Sequence, residues 1–416
     1  MGFERHKRPR PRSGIPNETT VWEGKIERLA WGGLGISHIE DGRTLLLEAP
    51  LALFPGESVR ASIRIKPKHA EGEVTEWLLP SPNRVAPECP AGGKCGGCSL
   101  HGAGPLRSDM KRAMVEDLFR RMLQSESWEW LPAPPDALRS RIQLHWDGKH
   151  LGFHQRKKNV VVPINACPAA APNISESIPR FEEAIGAKIL PTRPQRWELA
   201  TGTPPAEIFA IDELQRTWLL EPDGWKKRDG KIFHHFSGCT IAHRPGGFFQ
   251  VLAKWAMEAF HEVLTNWGVN GGTLYDIFGG VGLFSVLLGD KFNNCVLVES
   301  DGDSVADAAQ NLSEANISHK CIEMDAAKWS AGLQEGFGGP DDVVLLDPPR
   351  EGLPPEMIDP LQKSNVGAIV LVGCDGATFC RDIKRLNPPW RPKKIAAIDL
   401  FPMTPHVECV ALLERG

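Results

Sequence analysis

Short runs of alternating apolar and polar residues dominate the first part of the chain. TVWEGKIERLA, GLGISHI, RTLLLEA and ESVRASIRI are separated by turn-forming stretches such as EDGR and FPGE. Alternation with a period of two residues is typical of half-buried strands, and such turns end them. Four or five strands within about 60 residues predict a small β-barrel of the oligonucleotide-binding type.

The hydrophobic pattern changes twice further along the chain. Residues 105–124 carry apolar side chains at helical spacing, which predicts an amphipathic helix. Residues 138–235 return to short strands. From about residue 250, apolar strands alternate with amphipathic helices, and repeated βαβ units predict a parallel, doubly wound, Rossmann-like sheet of the α/β class.

These changes in pattern divide the chain into four predicted parts. We expect a basic flexible tail over residues 1–18, an RNA-binding barrel over 19–80, a β-rich central domain over 81–238 and a catalytic domain over 239–416. Helix 105–124 belongs to the central part and is expected to pack on the catalytic domain. The basic tail is open to two interpretations, a solvated segment or an arm that contacts phosphates.

Composition and charge narrow the class of protein. The 416 residues are 41% hydrophobic and 24% charged, a balance that allows a sizeable core. We find neither the roughly 18–20 successive apolar residues of a membrane helix nor a secretory signal. A net charge of −4 argues against non-specific coating of nucleic acid but allows local basic patches. We expect a cytoplasmic protein with no membrane partner.

Three of the ten cysteines lie close together in CPAGGKCGGC, as Cys89, Cys95 and Cys98. In a chain without a secretory signal, such a cluster favours metal ligation over disulfides. Proline and glycine dominate the surrounding stretch, so its order must come from elsewhere. The spacing by itself leaves an iron–sulfur cluster and a Zn(Cys)4 site equally open.

A glycine-rich turn between a predicted strand and helix indicates a nucleotide-like ligand. In DIFGGVG, Gly279, Gly280 and Gly282 allow the backbone to turn tightly. Glu299 ends the next strand at roughly the 20-residue spacing at which an acid reaches ribose hydroxyls, although an ordinary strand-end carboxylate is the alternative. The turn lacks the G-x-G-x-x-G pattern that cradles a pyrophosphate, which favours S-adenosylmethionine over NAD.

Three further residues follow or begin predicted strands of the same sheet. Asp347 opens DPPR, Cys374 ends AIVLVGC and Glu408 precedes the last apolar run. A cysteine at a strand end is suited to nucleophilic attack, and its alternative is a small buried core residue. C5 of uracil accepts a methyl group only after a nucleophile adds at C6, and a base must then remove the C5 proton. One cysteine and one carboxylate beside a methyl donor supply this chemistry.

The chain resembles the uracil-5 RNA methyltransferases, in particular the 23S ribosomal RNA branch that has an N-terminal TRAM domain and an iron–sulfur cluster. The resemblance spans residues 19 to 414. It is carried by these motifs in this order: CPAGGKCGGC, LGFHQRKKNVVVPINACP, FFQV, DIFGGVG, DPPREGL, GCDGATFCRDI and FPMTPHVE. It implies a class I methyltransferase domain preceded by an OB-like TRAM barrel and a central iron–sulfur domain.

The resemblance also implies a role for individual residues. It implies a [4Fe–4S] cluster bound by Cys89, Cys95, Cys98 and Cys167. It implies S-adenosylmethionine contacts from Gln250, Phe278, Glu299 and Asp347. Cys374 corresponds to the family's nucleophile and Glu408 to its base. The expected partner is RNA, with ribosomal RNA favoured over transfer RNA, and the expected state is a monomer.

The sequence departs from the family around the nucleophile. Gly373 precedes Cys374, and Gly376 stands where proline is usual, so we expect a looser turn. The alternatives are a transfer RNA uridine methyltransferase and an RNA-binding homologue without activity. A cytosine-5 enzyme is disfavoured because DPPR contains no cysteine, and a redox protein because we find no second cofactor motif.

Overall fold

The computed structural model describes residues 19–203 and 206–416, so the predicted basic tail lies outside the described residues. The chain divides into two units. The described part of the first comprises residues 19–29, Leu34–Ala49 and Leu53–Pro82. The second comprises Ala30–Gly33, Pro50–Ala52 and Asn83–Gly416, and it contains every candidate site residue named above.

A six-stranded sheet is built from the alternating runs at the start of the described chain. Its strands are β1 (Thr20–Lys25), β2 (Arg28–Ala30), β3 (Leu34–His38), β4 (Thr44–Glu48), β5 (Ser58–Ile65) and β6 (Ala70–Leu79). The strand order is β1-β5-β6-β4-β3-β2. Alternate residues of β5 are buried, as the period of two predicts, and Val59, Ala61 and Ile63 lie in a core that also contains Leu45 and Leu47 of β4. The small β domain is therefore present, and its description as an OB-like barrel stays a prediction.

A helix and a second, antiparallel sheet follow. The elements are α1 (Arg107–Met122), β7 (Glu129–Leu131), β8 (Arg141–Trp146), β9 (Leu151–His154), β10 (Val161–Pro163), α2 (Pro172–Gly186), β11 (Gln195–Thr201), β12 (Ile208–Asp212), β13 (Thr217–Glu221) and β14 (Gly224–Lys227). Seven of the strands form one sheet in the order β10-β9-β8-β11-β12-β13-β14. The interpretation of this region as β-rich is confirmed, but it missed α2. That helix contains Pro179, and it is stabilised by burying Ile174, Ile178 and Phe181 against the sheet.

A hairpin, β15 (Ile232–Phe236) and β16 (Cys239–His243), leads into the C-terminal α/β region. That region contains α3 (Ala253–Asn266), β17 (Gly271–Ile277), α4 (Leu283–Leu288), β18 (Phe292–Glu299), α5 (Gly302–Glu314), β19 (His319–Glu323), α6 (Ala326–Ala331), β20 (Val343–Leu346), α7 (Ile358–Lys363), β21 (Ala368–Gly373), α8 (Gly376–Leu386), β22 (Trp390–Ile398) and β23 (Glu408–Arg415). Short 3-10 turns occur at Trp31–Gly33, Gly104–Leu106, Gly289–Lys291 and Pro355–Met357.

The third sheet is the predicted doubly wound one. Its order is β19-β18-β17-β20-β21-β23-β22-β7, with parallel pairing from β19 to β21. β23 runs antiparallel to both β21 and β22. The chain winds outward from β17 to β19 and then returns to β20 on the other side of β17. A crevice for a ligand forms at such a reversal, beyond the carboxyl ends of the strands.

The α1 helix belongs to the core of the C-terminal region although it precedes the antiparallel sheet in sequence. Val115 and Phe119 are completely buried in the same cluster as Phe379 of α8 and the strands β20 and β21. The rings of Phe119 and Phe379 have centroids 6.2 Å apart. Burial of side chains of this size contributes about 1.5–3 kcal/mol each. The predicted helix is confirmed, and its apolar face covers one side of the sheet.

Within residues 19–203 and 206–416, no helix combines the length and the apolar composition needed to cross a membrane.

Candidate active site and cysteine cavity

Five of the predicted site residues lie at one edge of the third sheet. Register places Ile277 beside both Val298 and Leu346, so the residues that follow, Phe278, Glu299 and Asp347, lie at the same edge. Leu346 in turn pairs with Leu371, which brings the end of β21 to this edge. Carboxyl ends of parallel strands share an edge, which explains how residues distant in sequence come together.

Cys374 and Glu408 come to this edge from two antiparallel strands. Gly373 at the end of β21 pairs with Cys409 of β23, so Cys374 and Glu408 each lie one residue beyond that pair. Cys374 is half-buried and Glu408 is 4% exposed. The turn after Cys374 is fixed because Asp375 caps α8, its carboxylate accepting a hydrogen bond from the Thr378 amide at 2.8 Å.

Electrostatics at this edge favour neutral forms of the thiol and the acid. Burial raises the pKa of Cys374 to about 11; the negative charges of Glu408 and Asp347 add to the effect, and Arg350 opposes it. Burial also raises the pKa of Glu408 well above its ordinary value, with Asp347 raising it further and Arg350 lowering it. A carboxylate whose pKa is raised is a stronger base once it is ionised.

A pair of carboxyls lies beneath the glycine-rich turn. Burial, followed by the charge of Asp276, raises the pKa of Asp347 to about 7. Asp276 is itself completely buried, and burial raises its pKa to about 6 although Ser285 donates two hydrogen bonds to its Oδ2. The Oδ1 atom of Asp276 is buried with no partner among the described residues. The charge of Asp276 therefore disfavours ionisation of Asp347.

The glycine-rich turn is shaped for a close ligand. Phe278 has a φ of +66°, a strained conformation for an aromatic residue that points to function rather than to packing. A Cβ atom at Gly279 would lie 2.6 Å from Leu297, so no larger residue fits there. Glu299 is held in place by backbone donors, including the amides of Gly280 at 3.2 Å and Asp301 at 2.9 Å. Its carboxylate is therefore oriented before any ligand arrives.

Gln250 lies outside the sheet, in the segment that leads into α3. Arg141 donates to the carbonyl oxygens of Gly247 and Phe249 at 2.9 and 3.2 Å. α3 begins beside the sheet edge, since the indole of Trp255 donates to the carbonyl of Asp399 at 3.0 Å. The segment is anchored at both ends, which fixes the half-buried Gln250 between them.

The glycines around Cys374 do not loosen the turn, contrary to the expectation from sequence. A Cβ atom at Gly376 would lie 2.5 Å from Leu118 of α1 and 2.9 Å from the indole of Trp31. At Gly373 the nearest atom would be Cβ of Phe379 at 3.2 Å. Neither glycine has a positive φ. The backbone here is closely packed, and Gly376 is required because Trp31 and Leu118 fill the space a side chain would need.

The four cysteines predicted to bind a metal line one cavity of about 400 Å³. Cys89, Cys95, Cys98 and Cys167 are all half-buried free thiols. Burial raises the pKa of Cys98 to about 12, and the nearby Arg139 guanidinium opposes that rise. Arg139 also donates to the carbonyl of Gly97 at 3.2 Å, which places a positive charge beside the thiols. A cationic neighbour stabilises thiolates, the form that binds metals.

The four thiols share this cavity without forming a closed set of ligands. Within residues 19–203 and 206–416, no three His, Cys, Asp or Glu side chains converge as ligands of one ion. Both metal sites left open by the spacing, a zinc site and an iron–sulfur cluster, need their thiolates to face one bound group. His101, 4% exposed, also lines the cavity, and its Nδ1 is buried without a partner in the described chain.

The cysteine loop is joined to the loop before Glu408. The amides of Ser99 and Leu100 both donate to the carbonyl of Met403, at 3.0 and 3.1 Å. Met403 also lines the cysteine cavity. The loop of residues 399–407 ends at Glu408, so the cysteine loop and the candidate base share a support.

A buried ion pair fixes the other end of that loop. Lys111 of α1 is completely buried, and its Nζ lies 2.5 Å from Oδ1 of Asp399 and 2.9 Å from the carbonyl of Phe401. Burial lowers the pKa of Lys111 to about 8, and the carboxylate of Asp399 opposes that shift. Removal of either partner would leave an uncompensated buried charge.

Several residues that support the site were missed by sequence analysis. They are Trp31, His101, Lys111, Phe248 and Asp399. A lysine on the apolar face of a predicted helix was the one available signal, because Lys111 lies between Met110 and Met114. The others depend on contacts between distant segments. Phe248 is 72% exposed immediately before Phe249 and Gln250, and an exposed aromatic ring there can stack on a base.

The chain is similar to known RNA methyltransferases along most of its length. The family model of the tRNA (uracil-5-)-methyltransferases matches residues 242–416. An RNA methyltransferase of Streptomyces coelicolor is 30% identical over 434 residues, covering 94% of this chain and 92% of that protein. The 23S rRNA (uracil(1939)-C(5))-methyltransferase of Nitrosococcus oceani is 26% identical, covering 99% of this chain and 98% of that protein.

A solved structure agrees in fold. The tRNA (uracil-54, C5)-methyltransferase of Pyrococcus abyssi, in complex with S-adenosyl-L-homocysteine, matches with a TM-score of 0.74 at 24% identity, covering 94% of this chain and all of that one. The sheet order and the comparisons define an RNA methyltransferase. The chain belongs to the uracil-5 RNA methyltransferase family.

Proposed function

We propose that this enzyme transfers a methyl group from S-adenosylmethionine to C5 of a uridine in RNA, with 23S ribosomal RNA as the favoured substrate. The observation that carries the proposal is the placement of Cys374 and Glu408 side by side, one residue beyond the Gly373–Cys409 pair. Asp347 lies at the same sheet edge. A nucleophile and a base within one site, next to a cofactor crevice, are what uracil C5 methylation needs.

In the first step, the sulfur of Cys374 forms a bond with C6 of the uracil. The thiol proton must leave, because the raised pKa of Cys374 keeps the resting thiol protonated near neutral pH. The carboxylates at this edge, whose own pKa values are raised, are the available acceptors. The positive charge of Arg350 stabilises the thiolate as it forms. The electron pair of the C5–C6 double bond moves toward the C4 carbonyl oxygen to form an enolate, which is nucleophilic at C5.

In the second step, C5 takes the methyl group from the sulfonium, which leaves as a neutral thioether. Glu408 then removes the remaining proton from C5. The C5–C6 double bond re-forms, the bond from C6 to sulfur breaks, and Cys374 is released. A buried base is suited to this step because removal of water strengthens its basicity and protects the covalent adduct.

The crevice beside β17 is the proposed cofactor site. We expect Phe278, Glu299 and Asp347 to line its edge and Gln250 to reach it from the segment before α3. Glu299, already oriented by the Gly280 and Asp301 amides, is placed to accept hydrogen bonds from ribose hydroxyls. S-adenosylmethionine carries a ribose and no phosphate, which agrees with a turn that lacks the pyrophosphate pattern.

The cysteine cavity is proposed to hold a [4Fe–4S] cluster on Cys89, Cys95, Cys98 and Cys167. The four thiols that line one cavity and the order of the cysteine motif support this proposal. When bound, such a cluster supplies four cross-links between segments of irregular backbone. We assign it no part in the methyl transfer itself.

The N-terminal sheet and an exposed aromatic ring are candidates for RNA binding. Residues 19–80 are proposed as a TRAM-type RNA-binding barrel, in which the exposed Lys68 follows β5 on the chain. The exposed ring of Phe248 is proposed to stack on a base at the site. The cysteine motif and the ribosomal RNA relatives favour ribosomal over transfer RNA. We propose a cytoplasmic monomer.

Methyl transfer from labelled S-adenosylmethionine to unmodified 23S and transfer RNA transcripts tests the proposal, with nucleoside analysis of the product. We expect 5-methyluridine in 23S transcripts. The same product in transfer RNA alone would replace the substrate and keep the chemistry. RNA binding without methylation of either transcript would favour the inactive homologue, which the close packing around Gly373 and Gly376 does not support.

A further inference from the structure

Gln250 lies in irregular backbone between two regular elements. Residues 244–252 connect the end of β16 at His243 to the start of α3 at Ala253. Gln250 is half-buried in this segment, and the neighbouring ring of Phe248 is 72% exposed. Because neither a helix nor a strand ladder fixes this backbone, its position depends on hydrogen bonds from other elements.

Two successive residues where β8 begins bind this backbone at alternate positions. The guanidinium of Arg141 donates through Nη1 to the carbonyl oxygens of Gly247 and Phe249, at 2.9 and 3.2 Å. Ser140 donates from its amide and from its hydroxyl to the carbonyl oxygen of Val251, at 2.8 and 3.1 Å. These bonds lie on both sides of the glutamine, and acceptors on alternate residues are typical of extended backbone.

The ring of Phe249 is packed against a pair of buried histidines. It is 3% exposed, and its centroid lies 4.4 Å from that of His234 and 5.1 Å from that of His243, with nearly parallel planes. Burial lowers the pKa of His234 to about 3 and that of His243 to about 4, so both rings are neutral near pH 7. Successive side chains of extended backbone point to opposite sides, so a buried Phe249 directs Phe248 and Gln250 away from the core.

An ion pair holds Arg141 in place. Its Nη2 lies 2.6 Å from Oε1 of Glu198 on β11, and the two side chains are 15% and 10% exposed. The planar guanidinium carries several N–H groups in a fixed arrangement, so it bonds the carboxylate and two carbonyls at once. A lysine ammonium would keep the charge but lacks this fork. The contact with Glu198 therefore orients the guanidinium before any ligand binds.

We propose that Arg141 is a positioning residue for the methyl donor, which fixes the backbone of Gln250 through the carbonyls of Gly247 and Phe249. The inference rests on the proposed function, in which Gln250 contacts S-adenosylmethionine. Cys374, by contrast, is positioned by the register of the third sheet. Loss of Arg141 should therefore weaken binding of the cofactor and leave the chemical step largely intact.

The test measures binding of S-adenosylmethionine to the full-length chain by calorimetric titration without RNA. Arg141→Met is combined with Glu198→Gln in one double variant, because Arg141→Met alone would leave a buried carboxylate without its cation. We expect this double variant to lose about 10-fold in affinity. Arg228→Met with Glu221→Gln, at a more exposed ion pair beside the edge strand β14, is the matched control and should keep its affinity.

A double-mutant cycle shows whether Arg141 acts through Gln250. Gln250→Ala should itself weaken binding of S-adenosylmethionine. If the two residues act as a unit, adding Gln250→Ala to the double variant should weaken binding no further than the larger of the two separate losses. Contacts that merely support the fold would instead give losses that add.

Steady-state methyl transfer separates positioning from a general loss of structure. In the double variant, KM for S-adenosylmethionine should rise by about 10-fold, whereas kcat at saturating cofactor should change by less than about 3-fold. Arg141→Lys should give a KM between those of the wild type and the double variant, because it keeps the cation without the fork. A lower kcat with an unchanged KM would contradict the positioning role.

Failure of the inference and failure of its basis give different results. Unchanged affinity in the double variant, or a loss that adds fully to that of Gln250→Ala, would overturn the role of Arg141 and leave the proposed function intact. Wild-type affinity in Gln250→Ala would overturn the assignment of Gln250, and the role of Arg141 with it. Should the double variant fail to fold, as judged by circular dichroism, Arg141→Lys carries the test, and wild-type affinity in that variant would overturn the inference.

Discussion

The active-site edge and the cysteine cavity are organised by opposite means. At the edge, Phe278, Asp347 and Cys374 follow directly after strands and Glu299 ends one, and the sheet fixes the register of all these strands. In the cavity, the cysteines lie in irregular backbone, held by turns and by bonds such as those to the Met403 carbonyl. The edge is ordered by its own strand pairing, whereas the cavity depends on tertiary contacts and, in our proposal, on a bound cluster. Strand pairing therefore positions the residues at the sheet edge, whereas contacts with other segments position the cysteine loop.

Loss of the nucleophile should have the largest effect and should leave both regions folded. Cys374→Ala removes the only step that activates C5, so we expect turnover to fall by more than about 10⁴-fold. Methyl transfer to RNA measures turnover, and calorimetric titration should show that S-adenosylmethionine still binds. Cys380→Ala, at a thiol completely buried in α8, is the control and should retain turnover. Normal turnover by Cys374→Ala would exclude the covalent mechanism.

Breaking the buried ion pair should damage the connection between the two regions. Lys111→Met leaves Asp399 buried without a cation, so we expect a loss of about 3–5 kcal/mol in the free energy of unfolding. Urea denaturation measures it. The exposed pair of Lys393 and Glu414 serves as the control, and Lys393→Met should cost less than about 1 kcal/mol. Equal losses in the free energy of unfolding for the two variants would show that the buried ion pair stabilises the protein no more than the exposed one.

Loss of one cysteine should break the cavity and spare the sheet. For Cys98→Ser we expect amide exchange to accelerate by about 10-fold or more at Ser99 and Leu100, because their bonds to Met403 open. The amides of β20 and β21 should keep their protection. Hydrogen exchange with mass spectrometry resolves the two regions, and Cys321→Ser in β19 is the matched control. Simultaneous loss of protection in the sheet would contradict the separation.

Close packing around the nucleophile can be tested at Gly376. Gly376→Ala pushes a methyl group to within 2.5 Å of Leu118 and 2.9 Å of Trp31, which should cost about 1–3 kcal/mol and lower kcat more than it raises KM. The double variant with Trp31→Ala should recover part of the lost stability and part of the lost kcat. Gly373→Ala, with a nearest approach of 3.2 Å, should be milder. A double variant no better than Gly376→Ala would rule out Trp31 as the constraint.

The smallest effect is a shift in the reactivity of the thiol. The negative charge of Glu408 raises the pKa of Cys374, so Glu408→Gln should lower it. Alkylation by iodoacetamide requires the thiolate, so the pH at which its rate is half-maximal should move down. Asp290→Gln, at a carboxylate 76% exposed and distant from the edge, should not move it. An unchanged alkylation profile would show that the charge of Glu408 does not act on the thiol. Glu408→Gln should also accumulate the covalent RNA adduct, visible by gel shift, because C5 deprotonation is blocked.

The sequence by itself determined much of the fold, because local patterns decide local structure. Hydrophobic periodicity predicted α1 and the alternating strands and helices of the C-terminal sheet. The motif residues after those strands met at one edge, since every parallel strand ends on the same side. α2 was missed because its two prolines argue against a helix, although Ile174, Ile178, Phe181 and Ile185 follow helical spacing and bury one face against the sheet.

Tertiary structure alone decided how the two regions are supported. Nothing local in the sequence pairs Lys111 with Asp399, places Trp31 against Gly376 or turns His101 toward the cysteines. The glycines beside Cys374 suggested flexibility when considered as single residues, and their neighbours show close packing instead. The chemistry of a residue decides its preference for helix, strand or turn. Its burial and its partners are set by distant segments, as Asp399 is the partner of Lys111.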